Sequence, residues 1–251
     1  MTTKVAVVGA TGRMGKFISG VVEAAADFSL VAALNSRSQL SEMLEADVVV
    51  DVTEPSVSPA VVEFATSHGK SVLVGTSGWS EDRVQGITFS IAERADVGVI
   101  FIPNFSLGSA LATSFAAAAA RYFDSIEIIE SHHAGKVDSP SGTAVRTAEL
   151  MADARGNRGP VAAPHHDQRA RGEQVAGIPV HSLRMTGVVA HQQVIFGAPG
   201  EVLTLDHRTL SQDSYEAGIL IGLRAIVTAT GVTVGLDQLV DLSPQGREDS
   251  Q

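Results

Sequence analysis

The segment 132–144 contains two imidazoles, one ammonium group and the start of a predicted helix. Histidine exchanges protons near neutral pH, and Lys136 adds a full positive charge close to His132 and His133. Ser141 is well suited to be an N-cap, so the free N–H groups of the residues that follow it can bind a carboxylate. Together these residues predict a proton-transfer site for a small acidic substrate.

Each of these features also has a purely structural interpretation. Two histidines at a strand end are often solvated or structural, and a Ser-Gly-Thr helix start is common capping chemistry. A motif remains a hypothesis until its context agrees with it. The supporting context in this chain lies at the amino-terminal end.

The chain opens with a predicted strand, a glycine turn and a helix. An apolar run at 4–8 leads into Gly-Ala-Thr-Gly-Arg-Met-Gly and then an amphipathic stretch through Ala26. Such glycines permit a tight turn and a close approach of the backbone to a pyrophosphate at the helix N-terminus. The pattern predicts dinucleotide binding by Gly9, Ala10, Thr11, Gly12, Arg13 and Met14.

Short apolar strands then alternate with helical patterns. Strands are predicted at 29–34, 47–52, 71–74 and 97–102, with helices at 56–68 and 80–95. This alternation is typical of an α/β fold with a Rossmann-like, doubly wound parallel sheet, whose ligands bind beyond the carboxyl ends of the strands. The loops 53–55, 75–78 and 103–106 are therefore expected to complete the cofactor site, with contacts from Gly75, Thr76, Ser77, Pro103, Asn104 and Phe105.

The character of the chain changes after residue 106. An alanine-rich helix is predicted at 107–122, a strand at 125–131 leading into a double-histidine loop, and a further helix at 141–154. A polar excursion at 155–177 precedes predicted strands at 178–185, 188–196 and 201–208, a hairpin turn at 197–200 and a final helix at 215–230. The connections between these strands are too short for parallel crossovers. We therefore expect a second α+β domain with a mixed or antiparallel sheet.

These patterns predict two domains. Residues 1–106, completed by 212–251, are expected to bind the dinucleotide, and residues 107–211 to bind substrate and to mediate oligomerisation. The exposed face of the β-rich domain is the expected assembly surface.

Composition excludes several functional classes. The chain of 251 residues has no cysteine, which excludes a cysteine-dependent aldehyde or semialdehyde dehydrogenase. Its net charge of -10 argues against nucleic-acid binding as a main role. No apolar run is long enough to span a membrane and no signal peptide is evident, so a cytoplasmic protein is expected. His165, His166 and Asp167 are adjacent polar residues of a loop, which are more often solvated than bound to a metal. No third ligand is evident at a useful spacing, and no metal site is predicted.

The motifs together resemble the dihydrodipicolinate reductase family, also called 4-hydroxy-tetrahydrodipicolinate reductases, of lysine and diaminopimelate synthesis. The resemblance covers the glycine turn, the loops 75–78 and 103–106, the double-histidine segment and the closing residues 235–242. The double-histidine segment is the most distinctive part. The departures from the family pattern are Asn35, Glu54, Ser77 and Ser139.

The resemblance implies transfer of a hydride from NADPH or NADH to C4 of a cyclic dicarboxylate, with loss of the hydroxyl as water. We expect His132 to supply or relay the proton to the resulting enamine, with Lys136 as its cationic partner and second candidate donor. His133, Gly142 and Thr143 are expected to hold the carboxylates. The resemblance also implies a homotetramer whose domains close over the substrate.

The nucleotide preference is expected to depend on the end of the second strand. An acidic residue there usually binds the ribose 2′-hydroxyl, whereas a nearby arginine accommodates a 2′-phosphate. This chain has Asn35 at that position, followed by Arg37, and Arg13 in the glycine turn. We therefore predict that NADPH is used at least as well as NADH.

Two alternative functions remain open from the sequence. One is a related two-domain reductase of another small amino or keto acid, for which the double-histidine segment and the Ser-Gly-Thr helix start would have no reason to occur together. The other is a non-catalytic nucleotide sensor whose second domain binds a partner protein. The retained proton-transfer and carboxylate-binding candidates argue against the sensor.

Overall fold

The computed structural model of the protein describes residues 2–165 and 167–242. The chain divides into two compact units, one formed by Met1–Phe105 with Glu216–Gln251 and the other by Ser106–Tyr215. The expected roles of the two parts, nucleotide binding and substrate binding, remain predictions at this point.

In chain order the strands are β1 (Thr3–Val8), β2 (Phe28–Leu34), β3 (Val48–Asp51), β4 (Ser71–Val74), β5 (Gly98–Phe101), β6 (Ser125–His133), β7 (Glu173–Val175), β8 (Ile178–Met185), β9 (Ala190–Ala198), β10 (Glu201–Thr209) and β11 (Gly231–Val234). The helices are α1 (Arg13–Ala24), α2 (Ser58–Ser67), α3 (Glu81–Ser90), α4 (Leu107–Ala120), α5 (Gly142–Arg155) and α6 (Glu216–Ile226). Short 3₁₀ helices span Leu40–Glu45, Gly156–Arg158, Arg169–Arg171, Gln212–Tyr215 and Leu236–Leu239.

The first unit contains a six-stranded parallel sheet in the order β11-β5-β4-β3-β1-β2. Its inner strands read as continuous apolar runs because both faces are buried, as all four residues of β3 illustrate. One face packs against Val61, Val62 and Ile87 of α2 and α3. On the other face, α6 approaches so closely that a Cβ at Gly222 would lie 2.9 Å from Ile102. This arrangement confirms the predicted Rossmann-like α/β class.

Strand β11 was not anticipated by the sequence analysis. It follows α6 and pairs in parallel with β5, with Val232 opposite Val99. The helix ends at Ile226, before the expected position 230. A four-residue strand is too short to show a period of its own, and it forms because β5 offers an unpaired edge.

The second unit contains a mixed five-stranded sheet in the order β10-β9-β6-β8-β7. Strands β6 and β8 are parallel and the other neighbours are antiparallel, as the mixed-sheet prediction requires. Its core has buried side chains from the sheet, such as Ile126, Val194 and Phe196, against Ala116 and Met151 of α4 and α5. The polar excursion expected at 155–177 contributes the short strand β7 at its end.

The two adjacent histidines lie in a strand and not in a loop. Strand β6 continues to His133, because His132 pairs with Ala190 on one side and Arg184 on the other, and His133 pairs with Met185. The sequence analysis ended this strand at 131. Backbone pairing with two neighbours extends the strand through residues whose side chains are polar.

None of the helices that the structure describes is both long and apolar enough to cross a bilayer.

Candidate functional site

The glycine turn after β1 depends on two positions that lack a side chain. Gly9 has a φ of 90°, and a Cβ on it would lie 2.5 Å from the carbonyl oxygen of Val52. A Cβ on Gly15 would lie 2.1 Å from the carbonyl oxygen of Gly9. The first turn of α1 is thereby held against the end of β1, with Gly12 as its N-cap. The turn fits the close approach of a pyrophosphate to a helix N-terminus.

The loop after β2 is organised by the side chain of Asn35. The side-chain Oδ1 of Asn35 accepts a hydrogen bond from the backbone N–H of Arg37 at 2.9 Å. The backbone N–H of Asn35 donates to Ser38 Oγ at 3.2 Å. Arg37 is exposed, as is Arg13 in the glycine turn. The amide oxygen of Asn35 therefore shapes the loop that presents the Arg37 side chain.

Two of the predicted cofactor loops meet at Asp51, a fully buried residue that the sequence analysis missed. Its carboxylate accepts from the hydroxyl of Thr53 at 2.6 Å and that of Thr76 at 2.9 Å, and also from Ser58 Oγ. Trp79 Nε1 donates in turn to Ser58 Oγ at 2.9 Å. An acid that ends an apolar strand two residues before a loop threonine was the available signal.

The remaining cofactor candidates differ in exposure. Gly75 lies against Phe105, whose ring would be 2.6 Å from a Cβ at Gly75. Ala10, Thr76 and Phe105 are buried, and Gly9, Met14, Asn35, Gly75 and Asn104 are half-buried. The exposed candidates are Thr11, Gly12, Arg13, Arg37, Ser77 and Pro103.

In the second unit, His132 is held by a buried carboxylate. His132 Nδ1 lies 2.6 Å from Oε2 of Glu130, whose side chain is fully buried. Residues i and i+2 of a strand share one face, so this pairing could have been inferred from the sequence once the strand was extended. Glu130 was not among the predicted site residues, because the predicted strand ends at 131, before His132.

Glu130 also accepts hydrogen bonds from neighbouring elements. Arg184 on β8 binds both carboxylate oxygens, and the backbone N–H of Ser141 donates to Oε1 at 3.2 Å. Burial alone would raise the pKa of Glu130, but hydrogen bonds from His132, Arg184 and Ser182, together with the charge of His132, lower it to about 2. Glu130 is therefore a carboxylate at neutral pH.

The loop between β6 and α5 contains a second ion pair. Lys136 Nζ donates to both oxygens of Asp138, at 2.7 and 2.8 Å, and this hydrogen bond lowers the pKa of Asp138. Ser141 is the N-cap of α5, and its hydroxyl oxygen accepts from the N–H of Ala144 at 3.2 Å. Gly142 is exposed and Thr143 is half-buried in the first turn of this helix.

Buried polar contacts position the first turn of α5. Thr147 Oγ1 donates to the carbonyl of Thr143 at 2.8 Å and accepts from Gln192 Nε2 at 3.0 Å. Thr113 Oγ1 of α4 lies 2.9 Å from the same oxygen. The helix start that carries Gly142 and Thr143 is thus fixed to both the sheet and α4.

His133 occupies the other side of β6. Successive side chains of a strand point to opposite faces, and His132 is on the face of Glu130. His133 is exposed, and its backbone pairs with Met185 of β8. Gly135 lies close to the His133 ring, since a Cβ on Gly135 would be 3.5 Å from Nδ1 of His133. The structure therefore brings His132, Lys136, Gly142 and Thr143 around the β6–α5 loop, with His133 at the end of the strand.

The residues at 2–165 and 167–242 include no group of three histidine, aspartate or glutamate side chains that could hold a metal ion. His166, part of the cluster considered in the sequence analysis, lies outside the described residues.

Comparisons with known proteins agree with the resemblance over nearly the whole chain. Residues 3–105 match the family model described as dihydrodipicolinate reductase, N-terminus, and residues 108–240 match the one for its C-terminus. A relative from Clavibacter michiganensis named 4-hydroxy-tetrahydrodipicolinate reductase is 66% identical, covering 96% of this chain and 87% of its own. One of the same name from Streptomyces avermitilis is 44% identical, covering 96% and 98%.

Solved structures give the same picture. Dipicolinate-bound dihydrodipicolinate reductase from Paenisporosarcina sp. TG-14 superimposes with a TM-score of 0.83 at 28% identity, covering 96% of this chain and all of that one. The scyllo-inositol dehydrogenase of Lactobacillus casei shares the fold, with a TM-score of 0.59, 12% identity, and coverage of 92% and 90%.

Proposed function

The chain belongs to the dihydrodipicolinate reductase family, and we propose that His132, Lys136 and the start of α5 form the part of its active site that handles the substrate. It is an NAD(P)H-dependent oxidoreductase that reduces 4-hydroxy-tetrahydrodipicolinate to tetrahydrodipicolinate in lysine and diaminopimelate synthesis. The observation that carries the proposal is the contact between His132 and the buried carboxylate of Glu130.

The bound nicotinamide supplies the hydride. The chain's contribution on that side is a turn without side chains at Gly9 and Gly15, which leaves the N-terminus of α1 open to a pyrophosphate. We assign Asn35 and Arg37 to the ribose and its 2′-substituent, and the loop of Thr76 to the nicotinamide end. Supporting this assignment, Asp51 fixes Thr76 from the end of β3.

The tautomer of His132 follows from the charge of its partner. Glu130 is ionised, so it can only accept, and Nδ1 of His132 must donate to it. This leaves Nε2 as the atom that exchanges a proton with the reacting substrate. Because the carboxylate fixes the orientation of the imidazole, His132 is well suited to carry the proton that the reduced heterocycle takes up.

The two carboxylates of the substrate need positive or N–H-bearing partners. We assign one carboxylate to the N–H groups and hydroxyl of Gly142 and Thr143 at the start of α5. Lys136, whose ammonium is held at the loop by Asp138, is the cationic partner of His132 and a second candidate proton donor. His133 is a further candidate for carboxylate binding from the end of β6. Supporting this use of the site, a family member of similar structure is described with dipicolinate bound.

The purified protein tests the proposed activity directly. It should oxidise NADPH only when freshly prepared 4-hydroxy-tetrahydrodipicolinate is present, and tetrahydrodipicolinate should accumulate in equal amount. The control is scyllo-inositol with NAD⁺, since an inositol dehydrogenase shares the fold. Turnover of the inositol, with none of the heterocycle, would overturn the proposal.

We also infer a homotetramer that works in the cytoplasm. The sheet face turned away from α4 and α5 carries Ile129, Leu183, Met185 and Val202, and the exposed fraction of Val202 reaches 70%. Such an apolar face favours burial against further copies of the chain. Light scattering should give the tetramer mass, and Leu183→Glu should dissociate it. A monomeric wild type would contradict this assembly.

A further inference from the structure

The guanidinium group of Arg184 contacts both segments that carry the proposed proton-transfer residues. Its Nη1 and Nη2 donate to the two carboxylate oxygens of Glu130 at 3.0 and 2.9 Å. Nη2 also donates to the backbone carbonyl of Asp138 at 2.6 Å. Arg184 stands opposite His132 in the pairing of β6 and β8, and its side chain is only 19% exposed. One side chain thus joins β6 to the loop that follows it.

Glu130 and Asp138, two residues that Arg184 contacts, each hold a residue of the proposed site through their carboxylates. Glu130 binds the Nδ1 of His132, and the carboxylate of Asp138 binds the Nζ of Lys136. Glu130 also accepts from the N–H of Ser141, the N-cap of α5. The guanidinium of Arg184 is therefore one residue removed from the histidine, the lysine and the N-cap of the carboxylate-binding helix.

We propose that Arg184 is a positioning residue that fixes His132, through Glu130, and Lys136, through Asp138, in one geometry for proton transfer. This inference rests on the function proposed above for His132 and Lys136. The loop 134–141 has no regular secondary structure, so its geometry depends on such side-chain contacts. The planar guanidinium can bind both oxygens of a carboxylate and a third acceptor at once, which an ammonium cannot do in the same geometry.

A second arginine, on the opposite face of the same sheet, provides a matched control. Arg171 pairs with Glu127, which also accepts from His181 Nε2 at 2.7 Å. This group has the same Arg–Glu–His composition, with Glu127 on β6 and His181 on β8, but it has no described contact with the loop 134–141. Replacing Arg171 removes a comparable ion pair without reaching His132.

The test compares Arg184→Ala with Arg171→Ala. We expect Arg184→Ala to lower kcat by about 10²-fold, because a displacement of about 1 Å costs that much, and to leave the Kd for NADPH unchanged. Arg171→Ala should keep the wild-type kcat. Because its ion pair lies on the face proposed for assembly, its mass is also measured by light scattering and should equal that of the wild type. Methylguanidine, at a concentration well below a denaturing one, should restore part of the turnover of Arg184→Ala. In a His132→Gln background, Arg184→Ala should cause a much smaller further loss, because the two residues act through one group.

The results separate this inference from the proposed function. If His132→Gln loses turnover and Arg184→Ala does not, Arg184 is not a positioning residue, whereas wild-type turnover of His132→Gln would overturn the role of His132. Equal losses in the Arg184 and Arg171 variants would also overturn the inference. If Arg184→Ala does not fold, Arg184→Lys tests the inference instead. Lysine keeps the positive charge beside Glu130 but cannot bind both carboxylate oxygens as the planar guanidinium does. Arg184→Lys should still lose about tenfold in kcat, and wild-type turnover would contradict the inference.

Discussion

The Nδ1 of His132 lies 2.6 Å from Oε2 of Glu130, and both residues are on the same face of one strand. The acid is fully buried and its pKa is lowered to about 2, so the imidazole is held by a permanent negative charge. This relationship sets the tautomer of His132 and directs its Nε2 to the proposed exchange of a proton. It also makes both the chemistry and the stability of the second unit sensitive to Glu130.

The stability of the protein should depend on pH through Glu130. A carboxyl group whose folded-state pKa is below its ordinary 4.5 stabilises the fold above about pH 4.5, and this contribution is lost as the pH falls toward about 2. The contribution is on the order of 3 kcal/mol. In urea titrations, the free energy of unfolding of the wild type should therefore fall as the pH is lowered through this window. The free energy of unfolding of Glu130→Gln should fall distinctly less. Equal pH dependence in the two proteins would contradict the ion-pair account.

Thr143→Val should weaken substrate binding more than it slows the bound complex. Valine keeps the shape of threonine but removes the hydroxyl that we assign to a carboxylate present in both the ground and transition states. The KM for substrate should rise by about tenfold or more, and Thr143→Ser should restore it. Dipicolinate should compete with substrate and not with nucleotide. A variant with reduced kcat and unchanged KM would exclude this role.

Replacing Asn35 by aspartate should shift the nucleotide preference. The Oδ1 of Asn35 accepts the N–H of Arg37, which an aspartate can also do, so the loop should persist while a negative charge is added. We predict that the wild type uses NADPH at least as well as NADH, and that Asn35→Asp lowers kcat/KM for NADPH relative to NADH by about tenfold. Asn35→Ser is the uncharged control. A wild-type preference for NADH, or no shift in Asn35→Asp, would refute this account of the loop.

Asp51→Asn should weaken nucleotide binding selectively. Asparagine has one acceptor oxygen where the carboxylate serves Thr53, Ser58 and Thr76, so the two loops lose part of their connection. The Kd for NADPH should rise by about tenfold while dipicolinate binding is unchanged. Asp47→Asn, at the exposed residue just before the same strand, is the control.

The emission of Trp79, the only tryptophan in the chain, reports the state of this cluster, because its indole N–H donates to Ser58. Its spectrum should change in Asp51→Asn and not in Asp47→Asn. An unchanged Kd for NADPH in Asp51→Asn would remove Asp51 from the cofactor site.

The sequence predicted most of the elements that have a local pattern of apolar residues. The strands of the first sheet, apart from β11, begin and end within one residue of their predicted positions, because buried parallel strands read as continuous apolar runs. Strands β7 and β11 are too short to show a period and form by pairing with existing edges. The extension of β6 through His133 also comes from pairing, with β8 and β9.

The parts of the site that were missed also depend on the pairing of strands. Glu130 follows from the period of the strand once its end is known, whereas Arg184 reaches the site only through the register of β6 and β8. Register between strands so far apart in the chain is set by tertiary packing and leaves no local signal in the sequence. Asp138 belongs to the site through its contacts with Lys136 and Arg184, which no local pattern indicates.

The most direct test of the account is kcat for 4-hydroxy-tetrahydrodipicolinate at saturating NADPH in the wild type, His132→Gln and Lys136→Met. Each variant should lose about 10²–10⁴-fold in kcat, the usual contribution of a general acid–base group, with little change in the Kd for NADPH. His181→Gln, which alters the histidine paired with Glu127, should keep wild-type turnover. Near-wild-type kcat in His132→Gln or Lys136→Met would contradict the role assigned to that residue.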